Sequence, residues 1–313
     1  MTLVAGGLAG AESCGVEIEP VTIKGPEGWI AAIAFAPDGK SLFSASADKT
    51  AVMWDMALGH KQATFAGHKD YVTAVAATSD GKTLATGSYD KTARLWDVEK
   101  AKERKTLEGH TGAVLCVAFS PDDKILATGS VDGAVKFWDA KSGEDLATLK
   151  GHKSWVNSVA FTPDGLTLAT GGSDATIRLW DVAKREELAK LKVDTGEVRS
   201  VAFGDKGKLL AAGTRYGVVR VWDVGTRKDV KSITGKGTDI WAVAFTPDGK
   251  TLATTEGDWK RPSEIRLWGT ETWRERDSYK HTGEVLCLAI TSDGSHLAAG
   301  SWDRTIKVWR VAK

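Results

Sequence analysis

His68, Thr86 or Ser88, and Asp90 bring an imidazole, a hydroxyl and a carboxylate into one short stretch. Acyl transfer uses those three groups: the carboxylate orients the imidazole, which activates the hydroxyl for attack. His and Asp recur in the same way at His110 and Asp132, at His152 and Asp174, and at His281 and Asp303. A nucleophile works in one pocket with one oxyanion hole, so a set repeated along a chain points to packing inside a repeated unit. We therefore expect no catalytic residue. No Cys-x-x-Cys or His-Glu-x-x-His spacing occurs, and no glycine-rich phosphate loop, so no metal or cofactor is expected either.

The elements that hold these residues follow from the tryptophans. Trp54, Trp96, Trp138, Trp180 and Trp222 are each followed by Asp and spaced 42 residues apart; Trp268 and Trp309 continue the series without the Asp, at intervals of 46 and 41. Within one copy, residues 155–162 form an apolar, β-rich run closed by Pro163-Asp164-Gly165. A second run covers 167–171, a third covers 176–181 with period-two alternation, and a fourth covers 187–192. Four short strands make a twisted sheet that cannot bury both faces alone, so seven copies must stack and the ring must close. Residues 16–25 match an outer strand without its inner three, and the last copy stops after its third strand. The two fragments complement each other, which predicts that residues 21–24 complete the last blade and remove the open edges.

Seven in-register copies with an early Gly-His and a late Trp-Asp closely resemble the WD-repeat family, over essentially all of residues 16–313. The small, apolar start of the chain reads as a flexible leader over residues 1–15. The resemblance implies an all-β, seven-bladed β-propeller of four-stranded antiparallel blades, which the N-terminal strand would close. It also implies a buried hydrogen-bonded set of His, Ser or Thr, Asp and Trp in each blade: His68, Asp90 and Trp96; His110, Asp132 and Trp138; His152, Asp174 and Trp180; His281, Asp303 and Trp309. Burying the carboxylate demands surrounding donors, which imidazole, hydroxyl and turn amides supply. Three blades depart. The first has Gly25-Pro26 for Gly-His, the fifth has Asp194 for His and Tyr216 for Asp, and the sixth has Gly235-Lys236 and a longer turn; their internal networks should be weaker.

The resemblance also places partners at the mouth of the central channel. Carried onto this sequence, the mouth has three columns of residues. One is Trp29, Tyr71, Ala113, Trp155, Glu197, Asp239 and Glu284; the second is Ala31, Thr73, Leu115, Asn157, Arg199, Trp241 and Leu286. The third is Ala47, Tyr89, Val131, Ser173, Arg215, Trp302 and, across the insertion, Arg261. Aromatic and Arg residues anchor interfaces, and Trp29, Tyr71, Tyr89, Trp155, Trp241 and Trp302 gather here although the repeat does not require them. The inserted segment 255–263 adds Trp259, Lys260 and Arg261. We expect a non-catalytic scaffold for a protein or peptide partner, monomeric or within a larger complex, with Trp29, Tyr71, Tyr89, Trp155, Arg199, Arg215, Trp241, Trp259, Arg261 and Trp302 at the contact. A small-ligand or glycan binder is the alternative, and a propeller hydrolase or lyase a more distant one.

Composition fits a globular binding module: 42% hydrophobic residues suffice for a core, and a net charge of +1 gives no global field towards nucleic acid or anionic lipid. Basic residues two positions before Trp, at Arg94, Lys136, Arg178, Arg220, Arg266 and Lys307, are spread one per blade, which suits cations lying beside Trp and acidic neighbours better than a nucleic-acid patch. No apolar run is long enough to span a membrane as a helix, so no membrane partner is expected. Cys116 and Cys287 share a small-residue column and read as packing residues, while Cys14 stands alone. Cysteine use leans cytoplasmic. Residues 1–11 lack a basic n-region, and export is compatible only if they are the end of a signal peptide.

Overall fold

In the computed structural model, residues 20–235, 239–257 and 262–311 are described; the leader, Cys14, Trp259, Lys260 and Arg261 lie outside them. Seven four-stranded antiparallel sheets succeed one another around a ring. The fourth blade shows the pattern, with strands Val156–Phe161, Thr167–Gly172, Thr176–Asp181 and Glu186–Lys192. The apolar second strand is buried along nearly its whole length because neighbouring blades cover both its faces, whereas the outer strand is largely exposed and charged.

Ring closure is as the complementary fragments require. Val21–Lys24 pairs antiparallel with Thr305–Arg310, with Ile23 opposite Ile306. Ile23 is buried in a cluster with Ile30, Leu42 and Ile306, so the closing strand ties the last blade to the first.

Two irregularities recur. In blades 1–6 the register slips on the outer pairing just before Trp, as between Leu95 and Trp96. In all blades but the sixth, the first strand carries a bulge that leaves one residue without an opposite number: Ala31, Thr73, Leu115, Asn157, Arg199 and Leu286. A bulge re-aims a side chain. These six are the second mouth column without Trp241, and all of them line the channel. The sixth blade differs: its first strand is only Val243–Phe245, and the amide of Ile240 donates to Thr214 of the preceding blade.

Candidate functional site

In blade 2 the hydroxyl is Thr86. Trp96 Nε1 donates to Thr86 Oγ1 at 2.8 Å, and Thr86 Oγ1 lies 2.7 Å from His68 Nε2. His68 Nδ1 sits 2.8 Å from Asp90 Oδ2, which also accepts the Lys69 amide at 2.9 Å. The directions are fixed by what each atom can do. With Nδ1–H donating to the carboxylate, Nε2 must accept from the Thr86 hydroxyl, which in turn accepts from the indole. Ser88 stands aside, receiving the Asp90 amide and donating to the Asp70 carbonyl. Blades 3 and 4 repeat the chain through Thr128 and Thr170.

Burial lowers the pKa of His68 against the pull of Asp90, which favours the neutral imidazole. Burial pushes the Asp90 carboxyl up, but hydrogen bonds from Thr92, the Lys69 amide and His68 outweigh it and hold it well below the usual range. The Thr86 hydroxyl is buried and engaged on both sides.

The fourth expected set is looser. At the position of Thr86 the last blade has Ala299, so the hydroxyl link between His281 and Trp309 is missing. His281 Nδ1 is 3.6 Å from Asp303, whose other contacts come from Thr282 and Thr305, and its ring meets Trp309 edge-on. Blade 5 has Ala212 at the same position, and there Arg220 lies over the Trp222 ring. Blades 1 and 6 lack the His but keep the indole hydrogen bond, through Ser44 and Thr254. The basic residues before Trp pair mainly with acids of the outer strand, Lys136 with Asp145 at 2.6 Å and Arg220 with Asp229 at 2.7 Å. Arg94, Lys136, Arg178 and Arg266 are buried in these pairs, which confines each cation to its own blade.

At one end of the ring the mouth columns meet. In six blades the third-column amide donates to the first-column carbonyl, as from Tyr89 to Tyr71 and from Trp302 to Glu284. Between them opens a channel of about 680 Å³, lined by Trp29, Tyr89, Trp155, Arg199, Trp241 and Trp302 among others. Trp29 stacks on Trp302 with ring centroids 4.9 Å apart, and Tyr71 meets both Trp29 and Tyr89 edge-on at 5.9 Å. Four aromatics thus form one crescent across blades 7, 1 and 2, with Tyr71, Tyr89 and Trp302 exposed; Trp155, 47% exposed, stands across from it on blade 4. Tyr71 and Arg215 belong to the rim outside the channel lining.

Blades 5 and 6 form a charged corner. Arg199 lies 3.2 Å from Glu197, 3.7 Å from Asp239 and over the Trp241 ring, while Arg215 bonds Glu197 at 2.7 Å. Trp241 Nε1 donates to Glu284 Oε1 at 2.9 Å. Burial raises the Asp239 carboxyl above its usual range despite Arg199 and Arg215. The bulges were not legible in the sequence, because the extra residue looks like any other member of an apolar run. Among the described residues, no cluster of His, Cys, Asp or Glu could hold a metal ion.

Comparison with known proteins fits this geometry. Residues 94–313 match the family model for the IFT122 first β-propeller, and residues 19–55 and 59–97 match the WD domain, G-beta repeat. Periodic tryptophan protein 2 of Saccharomyces cerevisiae is 37% identical over 49 residues, 15% of this chain and 5% of that protein. The guanine nucleotide-binding protein subunit beta of Oryza sativa subsp. indica is 52% identical over 29 residues, 9% of this chain and 8% of that protein. The chain therefore matches only a small part of these relatives. Such propellers generally serve as protein-interaction scaffolds and are typically not enzymes. With a match spanning most of its length and seven blades closed by an N-terminal strand, the chain belongs to the WD-repeat β-propeller family.

Proposed function

We propose that this chain is a non-catalytic scaffold, a single domain over residues 16–313, that binds a protein or peptide segment across its channel mouth. The observation that carries this reading is the exposed aromatic crescent. Trp302, Tyr71 and Tyr89 remain 54%, 42% and 42% exposed although each has an aromatic neighbour, and Trp155 is exposed opposite them. Large apolar rings left in water and gathered on one concave surface are the usual anchors of an interface. The hydroxyls that could serve acyl transfer are locked in the blades, away from this surface, which supports a non-catalytic reading.

Cross-linking in native lysate followed by mass spectrometry tests it, with wild type compared against Trp155→Ala/Tyr89→Ala. These two side chains project from the ring, so the variant should keep the wild-type circular dichroism and melt. Partners cross-linked through the mouth should be lost from the variant; equal recovery by both would move the binding site to the sides or the opposite face.

A further inference from the structure

The mouth is divided by charge. In blades 1–4 its three columns contain no Asp, Glu, Lys or Arg, whereas Glu197, Arg199, Arg215, Asp239 and Glu284 all fall in blades 5–7. The two guanidiniums are engaged by carboxylates within that corner.

The Thr73 hydroxyl and the Asn157 amide of the uncharged sector are also committed, but to the ring itself. Thr73 Oγ1 donates to the Val114 carbonyl of the next blade, and Asn157 Nδ2 donates to the Val198 carbonyl at 2.8 Å and to Ser173 Oγ at 2.9 Å. Deeper in the channel, Ser158 Oγ accepts the Val201 amide and Ser200 Oγ accepts the Val243 amide. Cys116 and Cys287 turn their thiols to the Val156 and Gly300 carbonyls, and burial pushes both pKa values up to about 12. What this side of the channel offers a visitor is largely carbon: Ala31 and Leu115, with Leu286 of blade 7, as a ledge, and aromatic rings, with their indole N–H and phenol O–H groups, as a collar.

A charged side chain placed here would be desolvated without a counter-charge. Building on the proposed mouth interface, we infer that the partner presents an uncharged peptide segment and inserts one bulky apolar side chain into the channel, collared by Trp29, Tyr89 and Trp155. The channel volume of about 680 Å³ has room for it, within the roughly 300–1,000 Å³ of ordinary ligand sites.

The test is selection of random dodecapeptides displayed on phage against the full chain, with selected peptides synthesised and measured by fluorescence anisotropy. Selected sequences should share a Leu, Met, Phe or Trp without adjacent charges, and replacing that residue by Ala should weaken binding at least about tenfold. Affinity should stay within about twofold between roughly 0.1 M and roughly 1 M salt, because no exposed ion pair contributes. Leu115→Glu, which sets a charge on the ledge, should abolish binding; Ala31→Glu serves if that variant loses its melt. Selected peptides rich in charged residues, with affinity falling as salt rises, would overturn the inference while leaving the mouth reading intact, provided Trp155→Ala/Tyr89→Ala weakens them. Peptides that bind that variant as tightly as wild type, or no enriched peptide at all, would overturn both.

Discussion

Blades 2–4 and blade 5 share a backbone but are held by different means. In blades 2–4 an unbroken chain runs from indole through Thr hydroxyl and imidazole to a carboxylate fixed by turn amides. Blade 5 has Ala212, Asp194 and Tyr216 at the Thr, His and Asp positions, yet its four strands pair as regularly as the others. Its second strand is buried against its neighbours, and Val198, Leu210, Ala212 and Trp222 share a core cluster with residues of blade 4. A closed ring lets burial between blades replace a polar network within one, and the position of the network Asp is left to an exposed Tyr216.

The comparison can be broken most severely at the closure on which it depends. Deleting residues 1–24 removes the strand paired with Thr305–Arg310 and uncovers the cluster around Ile23, and the melting temperature should fall by about 10 °C or more, with aggregation of the opened ring. Regular blades should come next. Asp90→Ala leaves His68 and the Lys69 amide without their acceptor and should cost about 2–4 kcal/mol in denaturant unfolding, whereas Tyr216→Ala at the matching position of blade 5 should stay within about 0.5–1 kcal/mol. Equal losses at the two sites would show that the network does not distinguish the blades.

Acid should reveal the same contrast. His281 has its pKa lowered from 6.5 to about 4, and His68, His110 and His152 are lowered as well, because burial disfavours the imidazolium. The unfolded chain then binds more protons below about pH 6.5. Stability should therefore be full above that pH and decline as pH falls towards the folded values; the depressed carboxyls Asp132 and Asp174 extend the loss below pH 4. In His68→Gln the slope of unfolding free energy between pH 6.5 and pH 4 should be shallower than in wild type, measured by urea titration at several pH values.

A smaller effect would sharpen the contrast by repair. Ala299→Thr returns the missing hydroxyl between His281 and Trp309 and should raise stability by about 0.5–1 kcal/mol. The smallest is expected at the mouth, where Trp155→Ala should leave the melt nearly unchanged, since 47% of that residue is already in solvent.

Much of the fold was legible because its signals are local and repeated. Trp spacing gave the blade count, alternation gave the strands, and the orphan segment at 21–24 found its place because only the last blade lacked an outer strand. Blade 7 shows the limit: His281, Asp303 and Trp309 carry the motif, but Ala299 breaks the chain that the motif stands for. At the site, the family resemblance supplied the mouth columns. It could not show that Trp29 stacks on Trp302 from the far end of the sequence, or that Arg199 pairs with both Glu197 and Asp239 across two blades.

By itself the sequence determined the unit: a period near 42, four strands, and the residues that occupy each column, since these follow from side-chain alternation and turn chemistry along one stretch of chain. Only the tertiary structure decided what those columns do together. Ring closure brings distant blades edge to edge, a one-residue bulge turns the second column into the channel, and hydrogen bonds to neighbouring blades engage Thr73 and Asn157 there. An aromatic crescent and a charged corner with both guanidiniums ion-paired result from contacts between residues that no local pattern connects.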